Sequence, residues 1–152
     1  MSFEVYNLDD CVFCRIINGI EPASVVYSDN EVLAFMDITP VNPGHLLVIP
    51  KVHAAQLSDL DLGKGAHMFK VAMSVADALR RSGTKCEGIN LFLADGEAAF
   101  QDIFHVHLHV IPRFGGDGFG LRFGPNYGSR PDREELDEIA GKIRSAMSKR
   151  VE

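Results

Sequence analysis

A chain of 152 residues, 46% hydrophobic and 24% charged, can bury one core of ordinary size and is neither fibrous nor low-complexity nor disordered. Its net charge of −6 opposes a polyanionic backbone and so speaks against general nucleic-acid binding. A small anionic ligand stays open, because clustered backbone N–H groups and imidazoles override the global sign locally. No apolar run approaches the roughly 20 residues that span a bilayer. The N-terminal MSFEVYNLDDCVFC lacks the basic start and apolar centre of an export signal, which predicts a cytoplasmic protein with no membrane contact.

In chain order, DCVFCRIIN (10–18) predicts a short helix, capped by Asp9 or Asp10 and ended by Gly19. Residues 24–27 and 31–37 read as strands joined by a turn at 28–30, and TPVNPGH, with two prolines and a glycine, as a loop. HLLVIP (45–50) is a buried strand. The period then changes: Leu60, Met68, Val71, Ala72, Val75, Ala78 and Leu79 recur at spacings of three and four, which predicts an amphipathic helix from about Leu62 to just before Gly83. His67 falls inside it and reads as a solvated side chain.

GINLFLAD (88–95) and HVHLHVIP (105–112) are strands, the second alternating until Pro112 stops it, with a loop at 96–104 leading in. The glycine-rich 113–131 is a loop. Asp132 caps a last helix whose Leu136, Ile139, Ile143 and Met147 form one apolar stripe. No repeat or linker interrupts the chain. The reading is one domain over residues 1–152, with a core at about 10–114 and a loop and helix at 115–152. Its class is α+β, with about five mostly antiparallel strands, one long central helix and a C-terminal helix.

The chemistry concentrates in His105, His107 and His109. At i, i+2 and i+4 of a strand they share one face, about 7 Å apart, while Val106, Leu108 and Val110 face the core. A solvated face would be served as well by Ser, Thr, Lys or Glu. A metal site built from all three remains an alternative, although a linear row suits a tetrahedral ion poorly.

His-φ-His-φ-His-φ-φ, with φ hydrophobic, together with CVFC and VYSDNEVLAFMDITPVNPGHLLVIPKVH (26–53) in the same order and spacing, resembles the histidine-triad superfamily over roughly residues 10–114. The likeness is to its nucleoside phosphoramidase-like branch with an N-terminal C-x-x-C zinc site. That resemblance implies an enzyme that cleaves the P–N or P–O bond at the α-phosphate of purine nucleotide derivatives through a covalent nucleotidyl-histidine. His107 would be its nucleophile, an imidazole being nucleophilic while neutral. It further implies His109 and His45 bracketing the phosphate, Gln101 as a polar contact near it, Phe13, Ile16 and Ile38 around the base, and Asp37 on the ribose hydroxyls. On residue type alone Phe13, Ile16 and Ile38 are equally ordinary core, and Asp37 equally a turn cap.

The same resemblance implies a structural zinc held by Cys11, Cys14, His53 and His105, and a homodimer built through a continuing sheet and packed helices. A pair of reduced thiols is the alternative for Cys11 and Cys14, and Cys86 reads as an ordinary thiol. Three positions depart from the family. Its Gly-Gln-Ser/Thr run is Phe100–Gln101–Asp102 here, and an asparagine that contacts the nucleotide is Ala94. A negative Asp102 disfavours an anionic leaving phosphate and favours an amine. Two further expectations stand beside the phosphoramidase reading: a dinucleoside polyphosphate hydrolase or nucleotidyl transferase, and a nucleotide-binding module without turnover.

Overall fold

The computed structural model describes residues 10–147; Asp9, one of the two expected helix caps, lies outside them. The chain divides into two compact units between Asp117 and Gly118. The first contains α1 (Val12–Ile17), β1 (Val25–Ser28), β2 (Val32–Met36), β3 (Leu46–Pro50), α2 (Leu62–Arg81), β4 (Gly88–Phe92) and β5 (Leu108–Arg113), and the second contains α3 (Arg133–Ala146). The five strands form one antiparallel sheet in the order β1-β2-β3-β5-β4, as the α+β reading requires.

β2 and β3 are apolar at nearly every position because both faces of the sheet are covered. On one face Val32, Ala34, Val48, Leu108 and Val110 pack against Met68, Val71, Ala72, Val75, Ala76 and Leu79 of α2. On the other, Leu33, Phe35, Leu47 and Ile49 pack against Phe13, Cys11 and Cys14 of the α1 segment. Each such Val, Leu, Ile or Phe contributes about 1.5–3 kcal/mol relative to leaving it exposed. The buried stripe of α2 runs through Ala76, and Ala78, expected in it, faces solvent. Positions 68, 72, 76 and 75, 79 repeat every four residues, and 78 falls off that face. Asp61 caps the helix by accepting from the Lys64 N–H.

Several boundaries differ from expectation. The cap of α1 is Cys11, whose Sγ accepts from the Cys14 N–H at 3.5 Å, and Asp10 does not fill that place. β4 ends at Phe92, and a single 3-10 turn, Glu97–Ala99, interrupts the loop that follows. β5 begins at Leu108, not at His105, because its ladder with β3 starts only at Leu108 opposite Val48. Earlier, the Val106 N–H donates to the Ala54 carbonyl beyond the end of β3. Pro112 lies inside β5. β3 reaches only to Leu46, opposite Val110, so no strand pairs on that side at Pro112, and its carbonyl accepts from Asn42 Nδ2 at 2.9 Å.

Gly44, φ +99°, makes the turn into β3; a Cβ there would meet Thr84 Cγ2 at 2.9 Å and Leu79 Cδ1 at 3.0 Å. His67 is not merely solvated. Its Nε2 lies 2.6 Å from Asp29 Oδ2, which also accepts from the Tyr27 hydroxyl and so pins the β1–β2 turn to α2. These hydrogen bonds, His67 first, hold the Asp29 carboxyl well below the usual carboxylate range. In the second unit Asp132 caps α3 by accepting from the Glu135 N–H, and Leu136, Ile139, Ile143 and Met147 are exposed.

Candidate functional site

The three histidines separate into two groups. The His105 ring is fully buried and turns towards α1, whereas His107 and His109 lie with ring centroids 5.0 Å apart on the wall of a cavity of about 420 Å³. The expected straight row spaced by 7 Å does not form, because residues 105–107 leave strand geometry.

The His107 side chain is 3% exposed. Its Nδ1 lies 2.7 Å from the His105 carbonyl oxygen. An oxygen acceptor obliges Nδ1 to donate, so in the neutral ring Nε2 carries a lone pair. Phe13 packs edge-on against this ring, centroids 5.2 Å apart, and fixes its plane. Asp102 Oδ1 lies 3.7 Å from His107 Nε2.

Behind His109 a second chain of hydrogen bonds sets another tautomer. The Val41 N–H donates to His45 Nδ1 at 3.0 Å, so the His45 proton is on Nε2, which donates to His109 Nδ1 at 2.9 Å. The His109 proton is thereby placed on Nε2. Burial, reinforced by the neighbouring His107 and His45, holds His109 down at about 4, and burial lowers His45 against the opposing charge of Asp37. Both rings are neutral donors at pH 7. His45 itself does not line the cavity. It is buried behind His109 and hydrogen-bonds that ring, so of the two residues expected to bracket a phosphate only His109 lines the cavity.

Phe13, Ile16, Asp37, Ile38 and Asp102 line the cavity with His107 and His109. Phe13 is also core, and Ile38 is 94% exposed at the rim. Asp37 serves the turn as well as the wall. Its Oδ1 accepts from the Thr39 N–H and hydroxyl, while Oδ2 lies 3.4 Å from His45 Nε2. Gln101 is not on the wall. Its Oε1 accepts from the Gly96 N–H, and its Nε2 donates to the Ala55 and Ile103 carbonyls, so its amide fixes the loop that carries Asp102. Phe100, which stands where the family has glycine, keeps a left-handed backbone with φ 67°. Ala94 is buried away from the cavity. Glu21 and Thr39 line the cavity without having been singled out in the sequence, where nothing marks them apart from other loop residues.

Cys11, Cys14, His53 and His105 converge. Cys11 Sγ lies 3.5 Å from His105 Nδ1, and Cys14 Sγ lies 3.3 Å from His53 Nδ1 and 3.6 Å from His105 Nδ1. The two Nδ1 atoms are 3.2 Å apart. The bond lengths of a tetrahedral zinc ion put S and N ligands roughly 3.6 Å apart and two N ligands roughly 3.3 Å apart. The donor atoms already stand at those separations. His105 Nε2 donates to the Pro50 carbonyl at 2.8 Å, which leaves Nδ1 free to ligate. Burial, with Cys11 alongside, pushes the Cys14 thiol up to about 12, and burial holds His105 down at about 4. A cation bound there would supply the charge that thiolates need. Asp37, His45 and His109 also cluster, but His45 must keep its proton on Nε2, so that set reads as a hydrogen-bond chain and not as a ligand set.

The HIT domain matches residues 18–116. A HIT family protein of Bacillus anthracis superposes with a TM-score of 0.85 at 40% identity, over 92% of this chain and 99% of that one. A zinc-bound histidine triad family protein of Mycobacterium smegmatis superposes with a TM-score of 0.72 at 41% identity, over 93% and 100%. An uncharacterized HIT-like protein of Borreliella burgdorferi is 47% identical over 116 residues, 76% of this chain and 84% of that protein. The protein named Adenylylsulfatase HINT3 of Arabidopsis thaliana is 38% identical over 105 residues, 69% of this chain and 53% of that protein. With its five-stranded sheet and these matches, the chain belongs to the HIT family.

Proposed function

We propose that this chain is a nucleotide hydrolase that cleaves a P–N or P–O bond at the α-phosphorus of purine nucleotide derivatives through a nucleotidyl-His107 intermediate. One observation carries the reading. The His107 Nδ1–H is tied to the His105 carbonyl at 2.7 Å, which leaves the Nε2 lone pair on a ligand-sized cavity. His109, its proton on Nε2, donates to phosphoryl oxygens as charge builds on them. His45 is a positioning residue that holds that tautomer. Phe13, Ile16 and Ile38 offer apolar contact to a base, and the Asp37 carboxylate accepts from a ribose diol. The Arabidopsis relative, whose name refers to an adenylyl sulfate bond, supports chemistry at an adenylyl group.

Cys11, Cys14, His53 and His105 would hold a zinc ion that ties α1 to the segment entering β5. The fit of the donor separations and the zinc-bound Mycobacterium relative support this. A second copy of the chain would pair at the sheet edge formed by β4, where Leu91 and Phe92 are exposed, with Phe69 and Met73 of α2 exposed too.

The deciding experiment mixes the protein with an adenosine 5′-phosphoramidate or with diadenosine triphosphate, quenches in alkaline denaturant, where a phosphorus–nitrogen bond to histidine survives, and measures intact mass. An adenylyl adduct that maps to His107 is expected. Turnover with no adduct at any quench time refutes the covalent scheme, and tight binding without turnover favours the binding-module reading. Elemental analysis of protein prepared without chelator tests the metal: near one zinc per chain is expected.

A further inference from the structure

The charges around the cavity are of one sign. Glu21, Asp37 and Asp102 line it, and no Lys or Arg does so among the described residues. His107 contributes a lone pair and His109 a donor, and with His109 held down at about 4 that ring brings no standing positive charge at neutral pH. A second recess, of about 330 Å³, is lined by Asp10, Arg15, Phe104 and Cys11 and shares Val12, Asp102 and Ile103 with the first. Asp102 therefore stands where the two recesses meet. The Arg15 guanidinium there is paired with Glu21 at 2.9 Å and brings no uncompensated cation to the junction.

Asp102 is also placed with some precision. Its loop is fixed from both sides by the Gln101 amide, and its Oδ1 accepts from the Ile103 N–H at 2.9 Å while lying 3.7 Å from His107 Nε2. The side chain is 80% exposed, so the carboxylate is open to a group attached to the phosphorus.

We propose that Asp102 selects the leaving group: it accepts a hydrogen bond from a departing amine nitrogen and repels a departing anion, so this chain prefers nucleoside phosphoramidates to nucleotides that release a phosphate, sulfate or polyphosphate. The inference rests on the nucleotidyl-His107 reading. The amidate nitrogen first takes one proton from solvent. The His107 Nε2 lone pair then bonds to phosphorus as the phosphorus–nitrogen bond breaks, and its electron pair stays on nitrogen. The nitrogen leaves as a neutral amine, its N–H donating to Asp102. Water next adds to phosphorus, the Nε2–phosphorus pair returns to His107, and the proton shed by the water passes to Asp102 and on to solvent. Asp102 is thus a catalytic residue in both halves when the leaving group is an amine.

The test compares wild type with Asp102→Asn, Asp102→Ser and Asp102→Glu on an adenosine 5′-N-alkylphosphoramidate and on diadenosine triphosphate. One charge a few ångströms from the leaving atom is worth roughly tenfold in each direction. Removing it in Asp102→Asn and Asp102→Ser should lower kcat/KM on the amidate and raise it on the diadenosine compound. The ratio of the two should fall about 100-fold, or about 2.7 kcal/mol. Asp102→Glu should keep the ratio within roughly threefold of wild type, and added salt should shrink the wild-type preference. If wild type forms the adduct but the neutral variants move both substrates by the same factor, Asp102 is merely structural and the proposal is overturned. If wild type forms no adduct and turns over neither compound, the His107 reading fails first, and this one with it.

Discussion

Acidification should weaken this fold through His109. The ring is held neutral down to about 4, against an ordinary value of 6.5, because it is buried beside two other imidazoles and its Nδ1 already accepts from His45. The unfolded chain therefore binds a proton that the folded chain refuses as pH falls from 6.5 towards 4. The folded pKa is depressed, so for a histidine the full stability is present above pH 6.5 and is lost on the acid side. Between pH 7.5 and 4.5 this single group accounts for about 2.5 kcal/mol. Urea midpoints at the two pH values, for wild type and for His109→Gln, isolate it, because carboxylates, His105 and His53 titrate in both proteins. Wild type should lose about 2 kcal/mol more than the variant over that interval. If the variant loses as much as wild type on acidification, the neutral His45–His109 pair described above is wrong.

His107→Ala should remove more than a hundredfold of kcat/KM, about 3 kcal/mol or more of transition-state stabilisation, and steady-state rates that fall less would reassign the nucleophile. Gly44→Ala combines a positive φ with contacts at 2.9 and 3.0 Å; a loss of about 2–4 kcal/mol is expected, read as a Tm drop of roughly 8 °C or more, and a melt within 2 °C of wild type would contradict it. Phe100→Gly should leave stability unchanged or raise it by about 1 kcal/mol, since the ring is 86% exposed and the backbone is left-handed; a lower urea midpoint would show that the ring does something the geometry does not reveal.

Much of the architecture was legible because it depends on short-range pattern. The three-and-four spacing of α2 and the apolar runs of β2 and β3 follow from burial on defined faces, and the Cys and His types of the cluster were recognisable before their meeting point was. What escaped depends on partners distant in the chain. The alternation of residues 105–107 continues the strand pattern perfectly, yet a strand needs a paired neighbour, and the ladder with β3 stops at Leu108 although β3 runs on to Pro50, the Val106 N–H turning to the Ala54 carbonyl instead. Cys11, not Asp10, caps the helix, and the same sulfur also lies 3.5 Å from His105 Nδ1, 94 residues away, a contact that local pattern does not show. Pro112 looked like a strand breaker, and only the short reach of β3 leaves an edge where its missing N–H does no harm. His45 and Gln101 were placed on the phosphate from the resemblance, but the structure gives them supporting work: one orders a ring, the other a loop.

His105 belongs to both halves of the site at once. Its ring is a donor in the cysteine cluster, while its peptide oxygen receives the His107 proton. Anything that loosens the ring, such as oxidation of the thiols, also loosens the acceptor that dictates which nitrogen of His107 is bare. A chain of this fold that gave up Cys11 and Cys14 yet kept its chemistry would have to anchor that one oxygen by some other means.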